Sequence, residues 1–197
     1  MPQTSSLSLV LASTSRYRRQ LLERLQLAFT SVAPQVDEAH APGEPPEARA
    51  LRLAQAKALA VAERHPQAVV IGSDQVAALG TRIFDKPGTA RAACQQLAEL
   101  SGCTVQFHTA VAVHSSAREL LHTHLDTTAV VFRKLSREEI ERYVAREQPL
   151  DTAGSFKSEA LGICLLARIE STDPTALVGL PLIWVCATLR DLGFPLP

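Results

Sequence analysis

The sequence predicts an α/β protein: a mixed β-sheet flanked by helices, with a cleft. Three observations carry that prediction. Apolar strand-like runs and helical patterns alternate through the first half of the chain. Two long strand patterns then follow each other, which is the signature of a hairpin rather than another crossover. Finally, 197 residues at 46% hydrophobic suit a single domain over 1–197, built as one body or as two small lobes sharing a core.

The elements follow in order. "SLVLA" reads as the first strand, the end of the apolar run that opens at Leu7. Residues Ser15 to Leu25 read as the first helix, capped by Ser15 or Thr14. "FTSVAPQVDEAHAPGEPPEA" gives a short strand and a proline-rich loop, and Pro45-Pro46 opens a long helix to about Arg64. "AVVIGSDQVAAL" reads as an apolar strand ending in polar residues, and its run Ala68 to Ile71 is what a buried central strand looks like. "GTRIFDKPG" reads as a turn, a short strand and a loop. Thr89 caps a helix that stops near Ser101-Gly102. "CTVQFHTAVAVH" and "ELLHTHLDTTAVVFR" make the hairpin, and "SREE" at Ser136 is a capping box for a helix to about Arg146. "LDTAGSFKSEALG" is a glycine-containing loop, "ICLLARIE" a strand, and Pro181 opens a C-terminal helix.

Composition removes several function classes. Lys+Arg and Asp+Glu stand at 20 each, so the formal net charge is zero, which argues against general nucleic-acid binding. The N-terminus has no cationic segment before its apolar run and is a poor signal peptide, and no window approaches the ~20 apolar residues of a membrane span. Cys94, Cys103, Cys164 and Cys186 are scattered, as expected for thiols in a reducing cytoplasm.

The candidate chemistry begins at "STSRYRR", where Arg16, Arg18 and Arg19 crowd a helix N-terminus that already favours anions. Arginines added there make sense if the ligand is a polyanion; a solvated helix face with snorkelling arginines is the plainer reading of that stretch alone. Asp37 and Glu38 in "QVDEAH" are a carboxylate pair suited to Mg²⁺ or Mn²⁺, or ordinary loop acids. Lys57 shares a helical stripe with Leu53 and Val61, as a lysine reaching into a polar site would, although Leu51, Ala54 and Ala58 form a competing stripe. Asp74 is placed at the carboxyl end of a buried strand, where open α/β sheets put ligands, or in a turn. Lys86, before Pro87, can meet a phosphate, and "GSFKSEALG" is a candidate lid or base-binding loop carrying Lys157 and Glu159. His122 and His124 alternate on one strand face without an evident third metal ligand.

The ordered set "LASTSRYRRQLL", "PQVDE", "RLAQAKA", "IGSDQV", "DKPG", "AGSFKSEALG" and "ALVGLPL" resembles the Maf family of nucleoside triphosphate pyrophosphatases over nearly the whole chain. It looks closest to the YceF type, linked to 7-methyl-GTP, rather than to the dTTP/UTP type. Arg16 departs from that pattern, where many members have proline, and so does Ala160, where glycine is usual. The resemblance implies two lobes with a central cleft and often a homodimer. It implies hydrolysis between the α- and β-phosphates and dependence on a divalent metal cation (Mg²⁺, Mn²⁺ or Co²⁺). Position by position, it implies a triphosphate and metal site of Ser13, Arg18, Glu38, Lys57, Asp74 and Lys86, with Asp74 as proton acceptor, Glu38 and Asp74 on the metal, and Tyr17, Gln75 and Glu159 choosing the base. A dTTP/UTP enzyme of the same fold, and a cell-division regulator acting through a partner, are the competing readings.

Overall fold

The computed structural model describes residues 8–197; Leu7 and the segment before it lie outside the described residues. Five strands and two short ones make one mixed sheet: β1 (Ser8–Ala12), β2 (Thr30–Ser31), β3 (Ala68–Leu79), β4 (Arg82–Ile83), β5 (Thr104–Ser115), β6 (Leu120–Phe132) and β7 (Leu166–Glu170). The order is β2-β1-β3-β5-β6-β7, with β4 folded back on β3. The helices are α1 (Arg16–Glu23), α2 (Pro46–Ala62), α3 (Ala90–Leu100), α4 (Arg137–Glu147) and α5 (Leu182–Asp191). None of the helices described is long and apolar enough to cross a membrane.

Local chemistry sets most boundaries. Ser15 caps α1 through its hydroxyl, which accepts from the Arg18 amide, and Ser136 with Glu139 forms the reciprocal capping box of α4. Pro46 occupies the first turn of α2, where its missing N–H costs nothing. α1 ends at Glu23, two residues before the expected Leu25. "ICLLARIE" is only partly strand: Leu161–Leu165 winds into a 3-10 turn and β7 begins at Leu166.

The alternation of β1 sends its side chains to two layers. Leu9 and Leu11 pack with Leu21, Leu22, Val185 and Leu189 under α1 and α5. Val10 and Ala12 pack with Ala50, Ala54, Ala58 and Val61 under α2. A further core, around Phe107, Phe132 and Phe156, seats α3 and α4 on the far halves of β3, β5 and β6. The two lobes therefore share the same long strands.

The strand that carries Asp74 corrects the sequence reading. β3 spans the expected segment, Ala68–Leu79, and is buried nearly throughout, so Asp74 is a mid-strand residue rather than one at the carboxyl end. Its parallel pairing with β1 stops at Ala12↔Gly72, while its antiparallel pairing with β5 continues from Val70↔His114 to Ala78↔Gln106. The polar residues sit where one neighbour has ended and the other has not. Asp74 thus overhangs the carboxyl end of β1, and the notch so formed becomes the cleft.

Candidate active site

A cavity of about 680 Å³ opens at that notch, and Ser13, Tyr17, Arg18, Glu38, Lys57, Gln75, Lys86 and Glu159 all line it. Asp74 lies just behind the wall, 8% exposed, and is joined to it by Lys57. Asp37 is elsewhere: its carboxylate accepts from the Ala39 amide and shapes the loop. His124 stacks on Trp184 with ring centroids 5.3 Å apart, and the described residues hold no cluster of three metal-ligating side chains.

Lys57 is the hub. Its ammonium, on a side chain 7% exposed, lies 2.7 Å from Asp74 Oδ1 and 2.7 Å from Glu38 Oε1. A buried lysine needs such compensation, because taking one charge out of water unpaired costs several kcal/mol. The Lys57 stripe is buried together with Ala54 and Ala58, so the two stripes that compete in the sequence form one broad face, with the lysine at its polar end. Burial pushes the Glu38 carboxyl up, but the hydrogen bond and charge of Lys57, with the charges of Lys86 and Arg18, outweigh it and hold the group below its ordinary value. Burial also pushes the Arg18 guanidinium below its ordinary value, against the charges of Asp74 and Glu38. Glu38, Lys57, Asp74, Arg18 and Lys86 are one electrostatic unit.

The period of two along β3 divides the labour. Asp74 faces α2 and Lys57, while Ser73 and Gln75 face the opposite layer. Ser73 Oγ donates to the Gly179 carbonyl at 2.9 Å, and Arg18 Nε donates to the same oxygen at 2.9 Å. The Gln75 amide donates towards Thr109 Oγ1, the Ala176 carbonyl and the Leu177 carbonyl, all within 3.1 Å. These contacts strap the segment 176–179 across the cavity. They also leave Gln75 only its carbonyl oxygen for a ligand.

A second group gathers around Tyr17. The Arg16 guanidinium lies 4.7 Å from the Tyr17 ring centroid and donates to its hydroxyl at 2.6 Å. Arg16 Nη2 is 3.7 Å from Asp151 Oδ2, and Glu159 contributes to the same field. The hydrogen bond it donates to Tyr17, then the charges of Tyr17, Asp151 and Glu159, raise the Arg16 guanidinium above its ordinary value. Lys157, the other candidate of this loop, turns away from the cavity: it is buried and donates to the Glu147 carbonyl at 3.2 Å, where a cation complements the C-terminal end of α4. Sequence reasoning missed Ser73, Thr109, Gly179 and Asp151. Ser73 left a signal as the neighbour of Asp74 with the opposite strand phase, and Gly179 as the glycine of "ALVGLPL".

The cationic face around Arg18 fits a polyanion. Pyrophosphate with Mg²⁺ is expected to raise the melting temperature by mass action, and Arg18→Ala to lose most of that rise. A full rise in the variant would make the arginine a strap for Gly179 alone.

The sequence pattern of the family described as "Maf-like protein" matches residues 8–192. Among curated relatives, a "7-methyl-GTP pyrophosphatase" of Aromatoleum aromaticum is 58% identical, covering 96% of this chain and 97% of the relative. One of Xanthomonas oryzae pv. oryzae is 58% identical over 96% of this chain and 98% of its own length. One of Pseudomonas putida is 49% identical over 97% and 100%. Among solved structures, the Staphylococcus aureus Ham1 protein superposes with a TM-score of 0.53 at 13% identity, covering 94% of this chain and 99% of that one, which is a likeness of fold. With that match over nearly every described residue, on a sheet whose notch gathers the expected motifs, the chain is a member of the Maf family.

Proposed function

We propose that this protein hydrolyses 7-methyl-GTP to the nucleoside monophosphate and pyrophosphate. The observation that carries the reading is the division of one cavity into two groups: the cations Arg18, Lys57 and Lys86 around Glu38 and Asp74, and an aromatic ring with acids at Tyr17, Asp151 and Glu159. The first suits a triphosphate. The second suits a base that carries positive charge, as N7-methylated guanine does. The Tyr17 ring already supports a cation of the chain's own, Arg16. The names of relatives up to 58% identical support the same substrate.

In this mechanism Asp74 takes a proton from the attacking water. Lys57 fixes the Asp74 carboxylate through Oδ1, leaving the other oxygen for the water. Lys86, Arg18 and Lys57 neutralise charge that builds on the departing pyrophosphate. The residues also fit a divalent ion: Glu38 and Asp74 both reach the Lys57 ammonium, which keeps their carboxylates close together, and a pair of carboxylates completed by substrate phosphates is a donor set Mg²⁺ favours. Such an ion would polarise the phosphates, held by Glu38 and Asp74. A free-nucleotide substrate and four unpaired cysteines accord with a cytoplasmic enzyme.

The test is kcat/KM for 7-methyl-GTP, GTP, UTP and dTTP, with the wild type, Tyr17→Ala and Glu159→Ala. A cation on tyrosine contributes ~0.5–2 kcal/mol, so methylation should raise kcat/KM by a few-fold up to roughly thirtyfold. Each variant should lose part of that advantage. A wild type indifferent to methylation, or variants that keep the full preference, would overturn this choice of substrate.

A further inference from the structure

We propose that Arg49, which lies outside the cavity, is a positioning residue for the triphosphate site; the inference rests on that site's reading but not on the identity of the base. Arg49 stands on α2, on the same buried face as Lys57, and is 7% exposed. Its Nη1 donates to Asp85 Oδ1 at 3.0 Å and its Nη2 to the backbone carbonyl of Glu38 at 3.3 Å. These are the two loops that bring Glu38 and Lys86 to the cavity. One planar group therefore fastens both loops to the helix that carries Lys57, which fixes the spacing of the three charges.

Two details separate this from ordinary packing. Arg49 grips the main chain of Glu38, leaving that carboxylate to Lys57. Its Nε is buried without a partner, a cost that Ala50, Leu53 and Ala54 beside it do not carry. An apolar side chain of similar volume would pack on the same face without that cost. The guanidinium has one thing such a side chain lacks, a fork that spans both loops. Asp85 is met in turn by His40 Nε2 at 3.1 Å, and its carbonyl accepts from Gln96 at 3.0 Å, so its loop is held from three sides although the Asp85 side chain itself is 59% exposed.

The test uses the full-length chain and the variants Arg49→Met, Arg49→Lys, Asp85→Asn and Arg49→Met/Asp85→Asn. Two quantities are read: the melting-temperature shift on adding pyrophosphate with Mg²⁺, and kcat/KM for 7-methyl-GTP and GTP. Arg49→Met should keep the melting temperature of the free protein close to that of the wild type, lose more than about half of the pyrophosphate shift, and lower kcat/KM roughly tenfold. The ratio between the two nucleotides should not move, because the base side is untouched. Lysine, a single point donor, should restore only part of the loss. Asp85→Asn should reproduce the defect, and the double variant should be no worse than either single one. If Arg49→Met, or Asp85→Asn should the former not fold, keeps both the pyrophosphate shift and kcat/KM, Arg49 is merely structural and the inference fails. A wild type that bound pyrophosphate but ignored methylation would instead overturn the substrate and leave Arg49 in place.

Discussion

Replacing Asp74 with asparagine is expected to lower kcat by at least ~10², the low end for loss of a general base, while the protein stays folded. The amide matches the carboxylate in shape, and its oxygen still accepts from Lys57. Lys57 is not stranded either, because Glu38 remains 2.7 Å away on its other side. What is lost is the carboxylate that would take the proton, on a residue 8% exposed; Glu38, the other acid on Lys57, approaches that ammonium from a different segment. Metal-free pyrophosphate should bind the variant at least as well as the wild type, since one negative charge has left the site. Circular dichroism and steady-state kinetics on the same sample decide the matter. Turnover within about threefold of the wild type in a folded variant would remove Asp74 from proton transfer.

The largest loss of stability is expected from a single methyl group. At Gly72 an added Cβ would fall 2.3 Å from the Ala54 carbonyl oxygen and 2.6 Å from the Ala58 amide nitrogen. Both are backbone atoms of α2, so no rotamer change relieves the clash. Overpacking a well-packed core costs typically ~1–3 kcal/mol, and a clash with helix backbone belongs at or above the top of that range. For a chain of this size each kcal/mol moves the melting temperature by roughly 2–4 °C, so Gly72→Ala should fall by about 6–12 °C or more. Because α2 also carries Lys57 and Arg49, activity in the surviving folded fraction should drop too. A variant that melts within about 2 °C of the wild type would show that α2 is free to lift from β3.

How far the sequence announced all this depends on the range of the interaction. Elements held by local signals were legible: the Ser136 box of α4, Thr89 before α3, and proline at the start of α2 each act within one turn. The middle position of Asp74 within β3 was not legible from "IGSDQV". Polar residues ended the apolar run, but β5 supplied hydrogen-bond partners beyond it. The cationic half of the site was legible through the ordered motifs: Arg18, Lys57 and Lys86 come from three separate segments and all line the same cavity. Lys157 and Lys57 are both buried lysines, but Lys157 has its partners at the end of α4 while Lys57 lines the cavity. Gln75 and Gly179 depend on contacts separated by about a hundred residues or more, which no window of sequence contains.

The strap across the cavity has a consequence for biosynthesis. The Gly179 carbonyl receives Arg18 from the beginning of the chain and Ser73 from its middle, and the Arg18 contact spans 161 residues. A ribosome emits the N-terminal portion first, at roughly 5–20 residues per second, so β1, α1 and β3 exist for seconds before their last partner emerges. Through that interval the arginines face water, the Gln75 amide lacks its carbonyl partners, and the cavity has no strap. On the proposed reading of the site, competence to hold pyrophosphate is acquired late and together, once the final helix is out of the tunnel. A nascent chain stalled before Ala176 should ignore the ligand, and one released a few turns later should hold it.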